Sequence, residues 1–187
     1  MEIGNVKLRP ATLEDATFVA TVMMEAVEIP MMEEGRVPDE PLVDICRRDD
    51  TLYSWRNAVI AVDNGKPVGG LISYQGKGYH DTKLHTFSLV PKDFLDFDPF
   101  AMDDETKEGE YYLDSLAVLP EYRGRGIATS LLKQTVAEAQ KHNLVPVLAC
   151  DPDNANAYRL YSSLGFREEG ELNIFGQIYR RMVIAQS

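Results

Sequence analysis

Positions 58–74 read Ala58-Val59-Ile60-Ala61-Val62, then Asp63-Asn64-Gly65-Lys66, then Pro67-Val68-Gly69-Gly70-Leu71-Ile72-Ser73-Tyr74. Two apolar runs around an Asn-Gly pair predict a β-hairpin. Upstream, Val6 to Arg9 suits a short first strand. Thr12 suits an N-cap with Asp15 as its capping-box acid, for a helix running towards Glu28. Pro30 and Met31-Met32-Glu33-Glu34-Gly35 break that pattern, and a second helical stretch begins near Pro41 with Leu42, Ile45 and Cys46.

Downstream, Glu110 to Val118 alternates as a strand. Strict alternation puts Tyr112, Asp114, Leu116 and Val118 on one face and Tyr111, Leu113, Ser115 and Ala117 on the other. From Gly126, Ala128, Leu131, Leu132, Thr135, Val136 and Ala139 form one helical stripe that ends near His142-Asn143. The mostly apolar run Leu144 to Cys150 suits a buried parallel strand, which implies a right-handed crossover from the preceding strand. A further helix opens at Asp153 or Asn154, carries Ala157, Leu160, Tyr161 and Leu164, and stops at Gly165. Two last strands follow, around Phe166 to Leu172 and Gln177 to Ile184.

Between strand 110–118 and its helix lies Pro120-Glu121-Tyr122-Arg123-Gly124-Arg125-Gly126. Gly124 and Gly126 let the backbone turn tightly, and the first amides of the helix have no internal partner. The helix dipole adds roughly half a positive charge there, so the turn is an anion site suited to a pyrophosphate. A nucleotide-triphosphate loop would need a Gly-Lys-Ser/Thr ending, and a dinucleotide turn a third glycine where Thr129 stands.

The turn resembles the acyl-CoA-binding motif of the GNAT superfamily of N-acetyltransferases, with Arg123, Gly126 and Ala128 at its positions and Leu116-Ala117-Val118 before it. Asn154 to Phe166, ending in Leu164-Gly165-Phe166, is similar to that family's later helix, and Leu8 to Ala16 to its start. The resemblance implies an α/β, three-layer fold, with a mixed, mainly antiparallel sheet of six to seven strands flanked by helices. It also implies acetyl-CoA as the acyl donor. Pantetheine would pair with the exposed backbone of Leu116, Ala117 and Val118, where the fourth and fifth strands splay. The diphosphate would take amides from Arg123, Gly124, Arg125, Gly126, Ala128 and Thr129. The two arginine side chains either help the phosphates or are solvated surface. Asn154 and Tyr158 would hold the cofactor arm, against a plain capping role for Asn154.

Transfer to an amine needs a neutral nucleophile, a polarised carbonyl and a proton for the departing thiolate. An amine with a pKa of about 10.4 is almost wholly protonated at neutral pH, so exposing its lone pair costs about 4 to 5 kcal/mol. A positioned carboxylate can accept that proton. Asp114 is the candidate base, near where the resemblance puts the thioester, or it merely bonds a neighbouring loop. Many members of the family carry the base nearer the position of Tyr112, where this chain has a tyrosine; Glu110 shares the same face. Tyr161 matches the family tyrosine that donates to the leaving sulfur, and it also fits the apolar stripe of its helix. The Val118 amide would polarise the carbonyl.

Length and charge limit the remaining possibilities. The 187 residues suit one N-acetyltransferase domain, 1–187, with an insertion at about 76–110. That insertion is of low regularity, with Tyr79, Phe87, Phe94, Phe97 and Phe100 among acids, and reads either as a wall over the acceptor site or as a peripheral arm or dimer contact. Met23, Met24, Met31 and Met32 either line the acceptor cleft or fill the core. A net charge of -11 opposes binding to nucleic acid or anionic lipid. Cys46 and Cys150 have no paired spacing and suggest reduced thiols. No run approaches the roughly 20 apolar residues of a membrane span, so a cytoplasmic, soluble protein is expected.

His80, His85 and His142 match no metal spacing, and Asp103-Asp104-Glu105 lacks the central glycine of a calcium loop. The expectation is therefore an acetyl-CoA-dependent N-acetyltransferase acting on a primary amine of a small molecule or peptide, without a metal and with homodimerisation open. Its alternatives are a catalytically silent CoA-binding regulatory or interaction protein, and a thioesterase using water.

Overall fold

The structure is a computed structural model that describes residues 5–95 and 97–185. In chain order the elements are β1 (Lys7–Pro10), α1 (Ala16–Ala26), α2 (Met31–Glu34), α3 (Glu40–Arg47), β2 (Ala58–Asp63), β3 (Lys66–Gln75), α4 (Tyr79–Ser88), β4 (Glu110–Val118), α5 (Ile127–Lys141), β5 (Val145–Cys150), α6 (Ala155–Ser163), β6 (Arg167–Ile174) and β7 (Gln177–Val183). The seven strands form one sheet in the order β1-β2-β3-β4-β5-β7-β6. β4 and β5 pair in parallel, and the other neighbours are antiparallel.

Local chemistry sets the entrances and exits. Before α1, the Thr12 amide and hydroxyl both donate to the Asp15 carboxylate, at 2.7 and 3.0 Å, and Arg9 clamps the same carboxylate at 2.6 Å. That satisfies a helix-start donor and a buried charge together. α1 stops at Ala26, earlier than the expected Glu28, because Glu28 takes φ 62 and Pro30 then disfavours helical geometry at Ile29. The stretch expected to be irregular here contains the short α2. The β2–β3 hairpin turns through Asn64 and Gly65 as predicted, with Asp63 opposite Lys66.

The sheet is covered on both faces. Val19 and Val22 of α1 and Cys46 of α3 pack with Ile60, Ile72, Tyr112 and Val147 on one side. Leu131 and Leu132 of α5 pack with Leu71, Leu113, Leu148 and Met182 on the other. The segment 76–110 is more ordered than its sequence suggests. It contains α4, whose Tyr79, Lys83, Thr86 and Phe87 are buried, and Phe87 and Met102 join Leu172 and Ile174 in a third apolar cluster. Among the described residues no helix is long and apolar enough to cross a membrane.

The expected alternation along β4 does not hold. Ile72 pairs with Ser115 but the next β3 residue, Ser73, pairs with Leu113, so Asp114 is an extra residue, a β-bulge. Beyond it the faces exchange. Tyr112 and Ala117 belong to the α1 side, whereas Leu113, Leu116 and Val118 belong to the α5 side. Asp114 and Ser115 consequently line the same cavity as Tyr112.

Candidate active site

The bulge lies where the sheet parts. β4 pairs with β5 only from Glu110–Val145 to Tyr112–Val147, although β4 continues to Val118 and β5 to Cys150. The Leu116 to Val118 edge therefore faces a gap, as the sequence reading expected. At the end of this edge a single 3₁₀ turn, Pro120–Tyr122, leads into Gly124 at φ 72 and Gly126 at φ 81, and α5 begins. A β-carbon added at either glycine would meet nothing within 4 Å, so the outer side of the turn is open to a ligand.

The first amide of α5 to find a backbone acceptor is that of Ser130, which donates to the Gly126 carbonyl at 3.0 Å. Among the described residues the Gly124, Arg125, Gly126, Ala128 and Thr129 amides have no such acceptor. This row of open donors fits a diphosphate. Both arginine side chains are exposed, in keeping with the solvated-surface alternative, and each also bonds the turn or its neighbours. Arg123 folds back, with Nε donating to the Val118 carbonyl at 3.0 Å and Nη1 to Glu33 at 2.8 Å. Arg125 donates to the Glu121 carbonyl at 2.7 Å and lies over the Tyr122 ring. Both brace the turn from its solvent-exposed side.

Two carboxylates lie beside the gap, Glu105 buried and Asp114 half-buried. Asp114 accepts from the Ser115 hydroxyl at 2.6 Å and from the Tyr74 hydroxyl. Glu105, from the segment before β4, accepts from the Tyr79 hydroxyl at 2.9 Å and from the Tyr112 hydroxyl. Both line a small cavity of about 70 Å³ with Tyr53, Tyr112 and Tyr179. Burial pushes the Glu105 carboxyl up to about 7, with the nearby Asp114 charge adding to the rise and the two tyrosine hydroxyls opposing it. Burial also raises Asp114, against its hydroxyl donors.

Glu105 did not stand out in the sequence, where it closes an acidic run weighed only as a calcium loop. The available signal was indirect. Tyr112 stands at a core-facing position, and a buried tyrosine hydroxyl needs an acceptor. Glu110, which strict alternation placed on the candidate face, is taken up elsewhere: it pairs with Arg181 and accepts from Thr106 and Lys107. Lys83, the neighbouring buried cation, is held by Asp104 at 2.7 Å and by the Met102 carbonyl at 3.1 Å.

The later helix holds the remaining candidates. Asn154 caps α6 by accepting from the Ala157 amide at 2.9 Å. Tyr158 stacks under Arg180 at 4.9 Å. Tyr161 packs edge-on against Phe166, 6.1 Å between ring centres, and burial pushes its hydroxyl up to about 12. Next to the carboxylate cavity, and sharing Val27, Tyr53, Phe175 and Tyr179 with it, is a larger pocket of about 500 Å³. Met23 and Met24 line this pocket, while Met31 is buried in the core.

Over 78 residues the chain is 33% identical to the spermine/spermidine N(1)-acetyltransferase of Bacillus subtilis (strain 168), which is 40% of this chain and 51% of that protein. The same figures hold for the probable spermine N(1)-acetyltransferase of Bacillus subtilis subsp. natto (strain BEST195). The chain thus spans about half the length of the curated relatives it matches. In fold it is similar to an N-acetyltransferase from Staphylococcus aureus Mu50, with TM-score 0.76 and 24% identity over 95% of this chain and 100% of that one. It is also similar to the PaiA N-acetyltransferase from Thermoplasma acidophilum in complex with coenzyme A, with TM-score 0.55 and 14% identity over 95% and 97%. The model of the acetyltransferase (GNAT) family matches residues 23–166. Because that match runs from within α1 to just past α6, and so takes in the glycine turn, the parted strands and the bulge of β4, the chain belongs to the acetyltransferase (GNAT) family.

Proposed function

We propose that this chain transfers an acetyl group from acetyl-CoA to a primary amine by direct attack, with Asp114 and Glu105 as the proton-accepting pair. One observation carries the reading: a carboxylate pair, Glu105 buried and Asp114 half-buried, lies beside the gap between β4 and β5, whose far end opens onto amides that have no backbone acceptor among the described residues. Acetyl-CoA, when bound, supplies an activated acyl group. The chain's own residues contribute positioning and proton handling. Amides from Gly124 to Thr129 would hold the diphosphate, the Leu116 to Val118 edge the pantetheine, and Asn154 and Tyr158 the side of the arm.

A carboxyl raised to about 7 is better matched to an amine than an ordinary aspartate, because it lies closer to the pKa of about 10.4 it must serve. Tyr74, Tyr79 and Tyr112 fix the two carboxylates by donating to them. Tyr161 would be the proton donor to the leaving thiolate, as a tyrosine hydroxyl carries its proton at neutral pH; burial raises it to about 12, so it would share rather than surrender that proton.

Calorimetry with acetyl-CoA, followed by free-thiol release across a panel of amines, tests the proposal. The names of the matched relatives put spermine and spermidine in that panel. Amine-dependent thiol release is expected, with Asp114→Asn and Glu105→Gln each lowering turnover and leaving acetyl-CoA affinity unchanged. Binding without amine-dependent release would favour the silent CoA-binding alternative, and release without any amine would favour hydrolysis.

A further inference from the structure

Resting on that reading, we infer that the acceptor is a monoamine with an aromatic or branched apolar body, which sits in the pocket of about 500 Å³ while its amino group reaches the carboxylate pair. The size falls within the roughly 300–1,000 Å³ range of small-molecule sites. Its wall is built from three elements and the segment after α4: Met24 from α1, Leu42 and Ile45 from α3, Phe87 from α4, then Leu95 and Phe97. Aromatic edges face one another around it. Phe97 meets Phe175 with 4.6 Å between ring centres and Phe87 with 5.7 Å, both edge-on.

Apart from the exposed Glu28, Asp93 and Gln177, the lining residues described are apolar or aromatic. Glu28 and Asp93 are exposed at the rim, and Asp114 and Glu105 lie in the adjoining cavity past the shared Tyr53, Phe175 and Tyr179. Among the described residues Glu28 and Asp93 are the carboxylates of this lining, and both are exposed. An extended polyamine would have to place an interior ammonium against methionine, leucine and phenylalanine, where burying an unpaired charge is strongly unfavourable. A single ammonium carried by an apolar body has the opposite pattern: the ammonium meets the carboxylate pair and the body meets the apolar lining. The flexible methionines allow the body to vary in shape.

The test is thiol release with acetyl-CoA and 2-phenylethylamine, tryptamine, isopentylamine, ethylamine, lysine, spermidine and spermine. We expect kcat/KM for the aryl and branched amines to exceed those for ethylamine and spermidine by about 100-fold, on the scale a few buried methylenes provide. Phe94 lines the same pocket and is 42% exposed, so its replacement should leave the fold intact. Phe94→Asp should lower kcat/KM for 2-phenylethylamine by about tenfold with acetyl-CoA affinity unchanged. Faster turnover of spermidine, spermine or lysine than of every aryl and branched amine would overturn the inference while leaving acetyl transfer intact. If no amine turns over, the proposed function fails, and calorimetry with 2-phenylethylamine alone decides the pocket. Uptake that is weakened in Phe94→Asp keeps the assignment, and no uptake removes it.

Discussion

Replacing Glu105 by Gln should change how stability depends on pH. The Glu105 carboxyl is raised from an ordinary 4.5 to about 7 in the folded protein. Between those values the native state holds a proton that the unfolded chain has released, so stability falls as pH rises through the window. A shift of this size corresponds to about 3 kcal/mol, most of it lost between roughly pH 5 and 8. At about 2–4 °C per kcal/mol for a chain of this length, that is a fall in Tm of roughly 5–10 °C. Groups moved the other way do not interfere. The Arg9 guanidinium holds Asp15 below 3.8, and Lys83 and His80 hold Asp104 below 3.8 against its burial, so their contributions are lost only at more acid pH. The glutamine keeps an acceptor oxygen for one of the Tyr79 and Tyr112 hydroxyls, donates its amide NH2 to the other, and cannot titrate. Thermal unfolding followed by circular dichroism at pH 5, 6, 7 and 8 should show a shallower decline in Glu105→Gln than in the parent, and a nearly flat one once Asp114→Asn is added. If the double variant declined as steeply as the parent, the carboxylate pair would not be the source and the argument would be refuted.

Further outcomes follow from the same geometry. Gly126→Ala places a β-carbon on a residue at φ 81, where strain costs roughly 1–2 kcal/mol, so acetyl-CoA should bind about tenfold more weakly in calorimetry. Arg123→Ala removes the brace on the Val118 carbonyl and should weaken acetyl-CoA binding about threefold to tenfold, the scale of one net hydrogen bond; unchanged affinity would show that the brace does not shape the edge. Asp15→Ala leaves Arg9 unpaired and uncaps the entry to α1, and should lower stability by about 2 kcal/mol in urea titration. Tyr161→Phe should lower turnover with little change in Tm, since its ring packing on Phe166 survives; full turnover would remove it as the proton donor.

How far the sequence carried depends on the range of the interaction involved. The Thr12–Asp15 box, the Asn64-Gly65 turn, the Asn154 cap and the glycine entry to α5 are decided within a few residues, and each lies where local chemistry puts it. The bulge at Asp114 was not legible, because Tyr111 to Val118 alternates acceptably in either register and the extra residue is specified by pairing with β3. Glu105 was hidden for a related reason. In the sequence its acidic run is weighed only as a calcium loop, and only the packing of α4 brings Tyr79 to it from 26 residues upstream. The bracing bonds of the turn's arginines were not legible, because their partners, Glu33 and the Val118 and Glu121 carbonyls, become neighbours only when the turn has formed.

On the proposed reading, the bulge and the segment before β4 together make up for the tyrosine at position 112. Without the extra residue, Ser115 would lie on the opposite face from Tyr112 and could not bond an Asp114 that lines the cavity. Without Glu105, the Tyr112 hydroxyl would be buried with no acceptor, at a cost of about 1–3 kcal/mol. Each carboxylate therefore solves a bonding problem created by its surroundings, yet the two together leave negative charge in a chamber that burial makes hostile to it. That charge is best relieved by a cation entering from the adjoining pocket. An ammonium there would favour the ionised carboxylates and lower their pKa, so the proton held near neutral pH would leave the pair as the amine arrived. The same burial that weakens the fold between pH 5 and 8 thus readies the site to receive an amine.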